Sequence, residues 1–232
     1  MRDWATLIAA SVGVTQASPL PDLSWNVLGA GGGLYAYNDT LTVTGTQFIN
    51  NTATDGGGLY LNVSSNPVRV VNVLFARNSA RTHGSALYLG STGVVRILHT
   101  TIASPTLGSG VAIYVGAGTV GITNTIVASY TAGIQQMGGT VYEDYNLFFF
   151  GDTPDKADTA SGGAHDVSGD PLFVNPAGDN YHLTTGSPAI DMGANVGVTT
   201  DLDGIARLQG KGYDVGAYEY RFKIYLPLVM RN

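Results

Sequence analysis

The sequence contains no cysteine, few charged residues and no long apolar run. Without cysteine, the chain has neither a disulfide framework nor thiolate chemistry. No stretch approaches the roughly 20 apolar residues that a membrane-spanning helix needs. Charged residues make up only 12% of the chain and the formal net charge is −6, which disfavours nucleic-acid binding because such binding needs a basic surface. We therefore expect neither a transmembrane segment nor a nucleic-acid partner.

Common catalytic motifs are also missing. The chain has no phosphate-binding loop, no G-x-G-x-x-G between a strand and a helix, and no G-x-S-x-G serine elbow. Its four histidines have no metal-ligand spacing, and isolated histidines are usually structural or surface groups. The motifs therefore favour a protein without catalytic activity.

A short glycine-rich block that ends in tyrosine occurs four times. The blocks are residues 31–35, 56–60, 84–88 and 110–114. Their tyrosines lie 25, 28 and 26 residues apart. A period of roughly 20 to 50 residues indicates a repeat architecture.

Between these blocks the sequence is typical of strands. The segments 41–51, 68–78, 95–105 and 120–130 superpose without gaps and are rich in Val, Ile, Thr and Phe. No helical spacing of apolar residues runs through a whole repeat. We therefore predict an all-β parallel solenoid in which each repeat is one coil, stacked on the next at about 4.8 Å.

The alternation of side chains along a strand assigns them to faces. If Leu59 and Leu61 point inward, Tyr60 points outward, and the same holds in the other coils. Equivalent residues then stack in columns along the axis. The columns are Val43, Val70, Ile97 and Ile122; Phe48, Phe75, Ile102 and Val127; Asn51 and Asn78; and Asn72, His99 and Asn124. Stacked asparagines can hydrogen-bond along the axis, although asparagine is common in any turn.

The repeats carry a family resemblance. Two pairs of stretches resemble the FxxN and GGA(I/L) repeats of polymorphic outer-membrane proteins and other right-handed parallel β-helix proteins. The stretches are residues 48–53 with 56–60 and residues 75–80 with 84–88. This resemblance covers about residues 31–150 and implies a right-handed parallel β-helix. Pro105 and Tyr130 replace the asparagine in the third and fourth units, so we expect their turns to differ.

A second resemblance lies near the C-terminus, where five ordered motifs are similar to the choice-of-anchor Q domain. The motifs are residues 170–175, 181–183, 186–193, 200–204 and 214–219. That family closes the C-terminal end of β-helices in exported bacterial proteins and has no established activity. The resemblance implies an extracellular or cell-surface location. We divide the chain into an N-terminal segment 1–30, coils 31–150, an irregular C-terminal cap 151–220 and a tail 221–232.

The N-terminal segment has three interpretations. Asp3 could begin a short amphipathic helix that plugs the open end of the solenoid. Alternatively, Arg2 and the apolar residues after it form a secretory signal, or the chain continues a longer solenoid. The acidic Asp3 favours the plug over the signal.

Two sets of outward residues are candidates for binding. Tyr35, Tyr60, Tyr88 and Tyr114 form a ladder that could stack against sugar rings, although aromatic packing that stabilises the sheet is the simpler interpretation. Arg69 and Arg96 share a column between Thr42 and Gly121, and they could bind an acidic polysaccharide or simply extend into solvent.

One acidic motif is a candidate for calcium binding. Residues 201–204 resemble the start of a calcium loop, but glycine stands at the fourth position and not at the sixth. A hard-cation site could combine Asp201, Asp203, Asp214 and Glu219. The alternative is ordinary turn chemistry of aspartate in loops.

Together these features favour a non-catalytic, exported bacterial surface protein that acts as a stalk, adhesin or glycan-contacting module, with a polysaccharide as its partner. The alternative is a carbohydrate-active lyase or hydrolase of the pectate-lyase type, with its groove on the face of Arg69 and Arg96. The columns next to these arginines hold no repeated Asp or Glu, which argues against the enzyme.

Overall fold

The computed structural model describes residues 29–37, 41–62, 67–90, 93–106, 110–150 and 162–222. These residues are almost entirely strands, turns and loops, with one three-residue 3-10 helix at Pro176–Gly178 among them. The predicted plug helix or signal sequence and the tail after residue 222 lie outside the described residues.

Eighteen strands are present in the described part of the chain. In chain order they are β1 Leu34–Tyr37, β2 Leu41–Ile49, β3 Thr52–Asp55, β4 Leu59–Asn62, β5 Val68–Ala76, β6 Ser79–His83, β7 Leu87–Leu89, β8 Val94–Leu98, β9 Thr101–Ala103, β10 Val111–Val115, β11 Thr119–Thr123, β12 Ile126–Ala128, β13 Ala132–Gln136, β14 Thr140–Asp144, β15 Leu147–Phe149, β16 Val167–Ser168, β17 Phe173–Asn175 and β18 Asn180–Leu183.

Strands β1 to β16 stack as a parallel β-solenoid of about four turns, which confirms the predicted fold class, whereas β17 and β18 form a separate antiparallel pair. One sheet has the order β1-β4-β7-β10-β13, and every neighbouring pair is parallel. The second, larger sheet contains β2, β5, β8, β11 and β14, and it continues through β9, β12, β15 and β16. We call each set of three successive strands a rung. The first rung is β1–β3 and the fifth is β13–β15.

The core is the set of inward columns that the sequence predicted. Leu59, Leu87 and Ile113 are in register and belong to one buried cluster. The rings of Phe48 and Phe75 stack with their centroids 4.8 Å apart. The predicted columns of side chains are therefore confirmed.

The asparagine columns also form, with one departure. Asn51 donates from its backbone N–H and its Nδ2 to Oδ1 of Asn78, both at 3.0 Å. Asn124 Nδ2 lies 2.8 Å from Nε2 of His99, whereas Asn72 donates to the carbonyl of Thr200. Asn72 is therefore tied to the C-terminal segment and not to the next rung.

The core ends in an acidic side chain at the fifth rung. Glu143 takes the place in the column that Ile122 holds one rung earlier, and it is only 7% exposed. Its Oε1 accepts the N–H of Gly163 at 2.6 Å, and the same N–H lies 2.8 Å from Oδ2 of Asp166. Burial and the hydrogen bond to Asp166 raise the pKa of Glu143 to about 8. A neutral carboxylic acid therefore ties residues 163–166 to the end of the core.

The C-terminal segment 169–222 packs along the flank of the solenoid, whereas the family resemblance implied closure of its end. Outward side chains of the second to fifth rungs form an apolar cluster with this segment. The cluster contains Leu74, Ala76, Ala103, Ile126, Ala128 and Leu147 from the rungs, and Tyr181, Leu183, Ala189, Val215, Ala217 and Tyr218 from the segment. Strands β9 and β12 are consequently buried on both faces, which explains the unbroken apolar sequence of β12.

Candidate functional site

The predicted tyrosine ladder forms on the outer face of the first sheet. Tyr35, Tyr60, Tyr88 and Tyr114 occupy equivalent positions on β1, β4, β7 and β10. Successive ring centroids are 5.0, 4.5 and 4.9 Å apart, with interplanar angles of 12°, 1° and 13°. Four rungs are thus joined by one continuous aromatic stack.

The stacking of the rings determines which groups of the ladder a ligand can contact. Both faces of Tyr60 and Tyr88 are covered by neighbouring rings, so these residues present their edges and hydroxyl groups outward. Burial, together with the neighbouring Tyr88, raises the pKa of Tyr60 to about 12. Burial raises the pKa of Tyr88 as well. The hydroxyl groups therefore stay protonated at neutral pH and remain hydrogen-bond donors and acceptors.

An Asp–His pair that the sequence did not reveal lies beside the ladder. Asp55 and His83 are in register at the ends of β3 and β6, and Nδ1 of His83 is 2.8 Å from Oδ1 of Asp55. The His83 ring lies 4.4 Å from the ring of Tyr114. A signal was present, because each of the two residues directly precedes a glycine block. The pair therefore adds polar groups beside the row of tyrosine hydroxyl groups.

Arg69 and Arg96 lie on the other sheet, in register on β5 and β8 and both exposed. Thr42 precedes them on β2 and Gly121 follows on β11, as predicted. In the described part of the chain neither arginine has a carboxylate within the 4.0 Å of an ion pair. The ladder and the arginines therefore form two separate surfaces.

The four candidate calcium ligands divide into two groups. Asp201, Asp214 and Glu219 are buried, whereas Asp203 is exposed and lies 2.8 Å from Nε2 of His182. The buried carboxylates accept backbone N–H groups: Asp201 from Ile205 and Glu219, Asp214 from Asp191 and Tyr220, and Glu219 from Asp214. No group of three or more His, Cys, Asp or Glu in the described residues could hold a metal ion.

A buried arginine supplies the cation for these carboxylates. Nη1 of Arg207 donates to Oε1 of Glu219 at 2.9 Å, and both side chains are fully buried. Nη2 donates to Oδ1 of Asn72 at 2.9 Å, which joins the segment to the second rung. Burial lowers the pKa of Arg207, but Glu219 opposes this shift and the guanidinium stays charged. The calcium site stays a prediction. The positive charge beside these buried carboxylates comes from Arg207.

Comparisons with known proteins were made at three levels, and no family model, curated protein or solved structure matches this chain. Within the described residues, no helix has the length and apolar character needed to cross a membrane. The parallel β-solenoid is therefore established by the structure itself.

Proposed function

We propose that this protein is a non-catalytic, exported bacterial surface protein that uses a parallel β-solenoid as a stalk or adhesin and contacts glycans along its flank. The observation that carries the proposal is the tyrosine ladder, which repeats one outward group on four successive rungs. A surface with a regular repeat suits a polymer with a regular repeat. The resemblance to polymorphic outer-membrane-protein repeats and to the choice-of-anchor Q domain supports export and surface display.

The geometry favours contact through hydrogen bonds. The stacked faces of Tyr60 and Tyr88 leave a row of hydroxyl groups, with the Asp55–His83 pair beside it. Sugar hydroxyls are donors and acceptors that match such a row. We infer that a glycan lies along the ring edges and does not stack on the ring faces.

The lyase or hydrolase alternative has less support. Such an enzyme needs an acid or base close to the groups that hold its substrate. In the described residues no carboxylate lies beside Arg69 or Arg96 within ion-pair distance. The described columns of that face therefore favour binding without cleavage.

A glycan-array screen beside a reducing-sugar release assay tests the proposal, and we expect binding without release. The informative variant is the double substitution Tyr60→Phe with Tyr88→Phe, because it removes two hydroxyl groups and keeps the ring stack. We expect it to weaken binding, whereas Tyr145→Phe, away from the ladder, leaves binding unchanged. Release of reducing sugar, or full binding by the folded double variant, would contradict the proposal.

A further inference from the structure

The outer face of β2, β5, β8, β11 and β14 carries a second column of side chains. In register it consists of Thr42, Arg69, Arg96, Gly121 and Tyr142. Successive strands of a sheet are about 4.8 Å apart, so Arg69 and Tyr142 are separated by roughly 14 Å along the axis. We call Arg69, Arg96, Gly121 and Tyr142 the arginine–tyrosine column.

The two arginines have no structural role that the described contacts explain. They lie side by side on adjacent strands, where like charges are destabilising. Neither forms an ion pair within the described residues, so this repulsion is not offset by a carboxylate of that part of the protein. An anionic ligand would relieve it.

Gly121 leaves an open gap in the middle of the column. A Cβ at this position would meet only the carbonyl oxygen of Val95, at 4.0 Å, and the residue does not have a positive φ. Neither packing nor backbone conformation therefore requires glycine here, although glycine inside a strand is destabilising relative to alanine. Glycine in a strand often marks a place where a ligand approaches the backbone closely.

Tyr142 follows this gap and differs from the tyrosines of the ladder. It is 66% exposed, and no described aromatic ring lies against it. Its ring is therefore available for stacking in a way that the rings of Tyr60 and Tyr88 are not. Asp144, on the same strand, is held by His165 at 2.9 Å.

We propose that the arginine–tyrosine column binds an anionic polysaccharide. One sugar ring stacks on Tyr142, the chain passes over Gly121, and acidic groups of the following sugars pair with Arg96 and Arg69. The planar guanidinium suits carboxylate and sulfate groups because it donates two parallel hydrogen bonds. The length of the column requires an oligomer of several sugars. This inference rests on the proposed glycan-contacting function and adds the ligand class and a separate site.

Calorimetric titration of the full chain tests this site with three polymers: alginate, which carries carboxylates, dextran sulfate, which carries sulfates, and neutral dextran. We expect binding to at least one anionic polymer and none to dextran. The carboxylated and sulfated polymers distinguish the two sources of negative charge. Equal binding of neutral dextran would overturn the proposal, and so would binding of the anionic polymers that persists at full strength in Tyr142→Ala.

Three variants examine the column itself. Arg69→Gln with Arg96→Gln, and separately Tyr142→Ala, should each weaken anionic binding at least tenfold. Gly121→Val fills the gap with a residue that favours strands, so it should keep the thermal unfolding midpoint and still lose at least tenfold in affinity. The control Arg81→Gln removes an exposed arginine of β6, which belongs to another sheet. It should lower the affinity only by the amount expected for the loss of one distant charge. Undiminished binding by folded Gly121→Val would overturn the proposed path of the chain.

The two glycan proposals fail differently. If anionic polymers do not bind while the Tyr60→Phe, Tyr88→Phe pair still weakens a contact found on the array, the arginine–tyrosine column is rejected and the tyrosine face stands. If no glycan binds to either surface, both proposals are rejected.

Discussion

Replacing Glu143 by glutamine should remove a pH dependence from the stability of the solenoid. Glu143 sits at the end of a column of aliphatic core residues and shares the N–H of Gly163 with Asp166. Glutamine has the same shape as the protonated acid and can donate from its amide to Asp166. The substitution therefore preserves a neutral partner at every pH, whereas the acid must ionise as pH rises.

The direction and the size of the effect follow from the raised pKa. The pKa of Glu143 is about 8 in the folded protein and 4.5 as a reference value. Its stabilising contribution is complete below pH 4.5 and is lost as pH rises to about 8. At about 1.36 kcal/mol for each pKa unit, the loss is at most about 5 kcal/mol.

Urea unfolding between pH 4.5 and 8.5 measures this loss. The wild-type free energy of unfolding should fall with pH, and the curve for Glu143→Gln should fall less. Asp214, with a pKa raised to about 7 by burial, adds a decline of the same sign in both proteins, so the difference between the curves isolates Glu143. Asp170→Asn, at an exposed carboxylate, serves as the control. Parallel curves for wild type and Glu143→Gln would refute the reasoning.

Two further outcomes are expected from the buried network of the C-terminal segment. Arg207→Met should lower the free energy of unfolding by about 3–5 kcal/mol, because it leaves buried carboxylates without their cation. An unfolding midpoint equal to that of the wild type would show that the network is dispensable. Addition of calcium should give no heat in calorimetry and no shift of the unfolding midpoint, because the oxygens of Asp201, Asp214 and Glu219 already accept internal hydrogen bonds. A saturable heat that Asp201→Asn abolishes would instead support the calcium site.

The sequence predicted the side-chain columns because stacking in a solenoid depends only on the repeat. Tyr60 and Tyr88 lie in register for the same reason that Leu59 and Leu87 do. The predicted coils, residues 31–150, include the fifth rung, but the predicted columns ended at the fourth because the fifth has no glycine block. Glu143 was consequently not seen as a member of the core.

The contacts of the C-terminal segment could not be predicted from the sequence, and the reason is different. Arg207 pairs with Glu219 and also with Asn72, which is 135 residues away, and no repeat relates these positions. The segment that carries Arg207 covers the apolar outer face of strands such as β12, a face that alternation alone would place toward solvent. Short unbroken apolar runs, at residues 73–76 and at Ile126–Ala128, hinted at the cover.

The placement of the C-terminal segment determines how the molecule would bear a mechanical load. Hydrogen bonds join the segment to three rungs. On the second rung, Arg77 bonds to Asp179 and Asn72 bonds to Arg207. On the third rung Thr101 bonds to Ala217, and on the fourth Asn124 bonds to Gly216. Tension applied at residue 222 would reach the third and fourth rungs first, through Ala217 and Gly216. It would reach the second rung only afterwards, through Arg207 and Asp179, so the load would pass from one rung to the next.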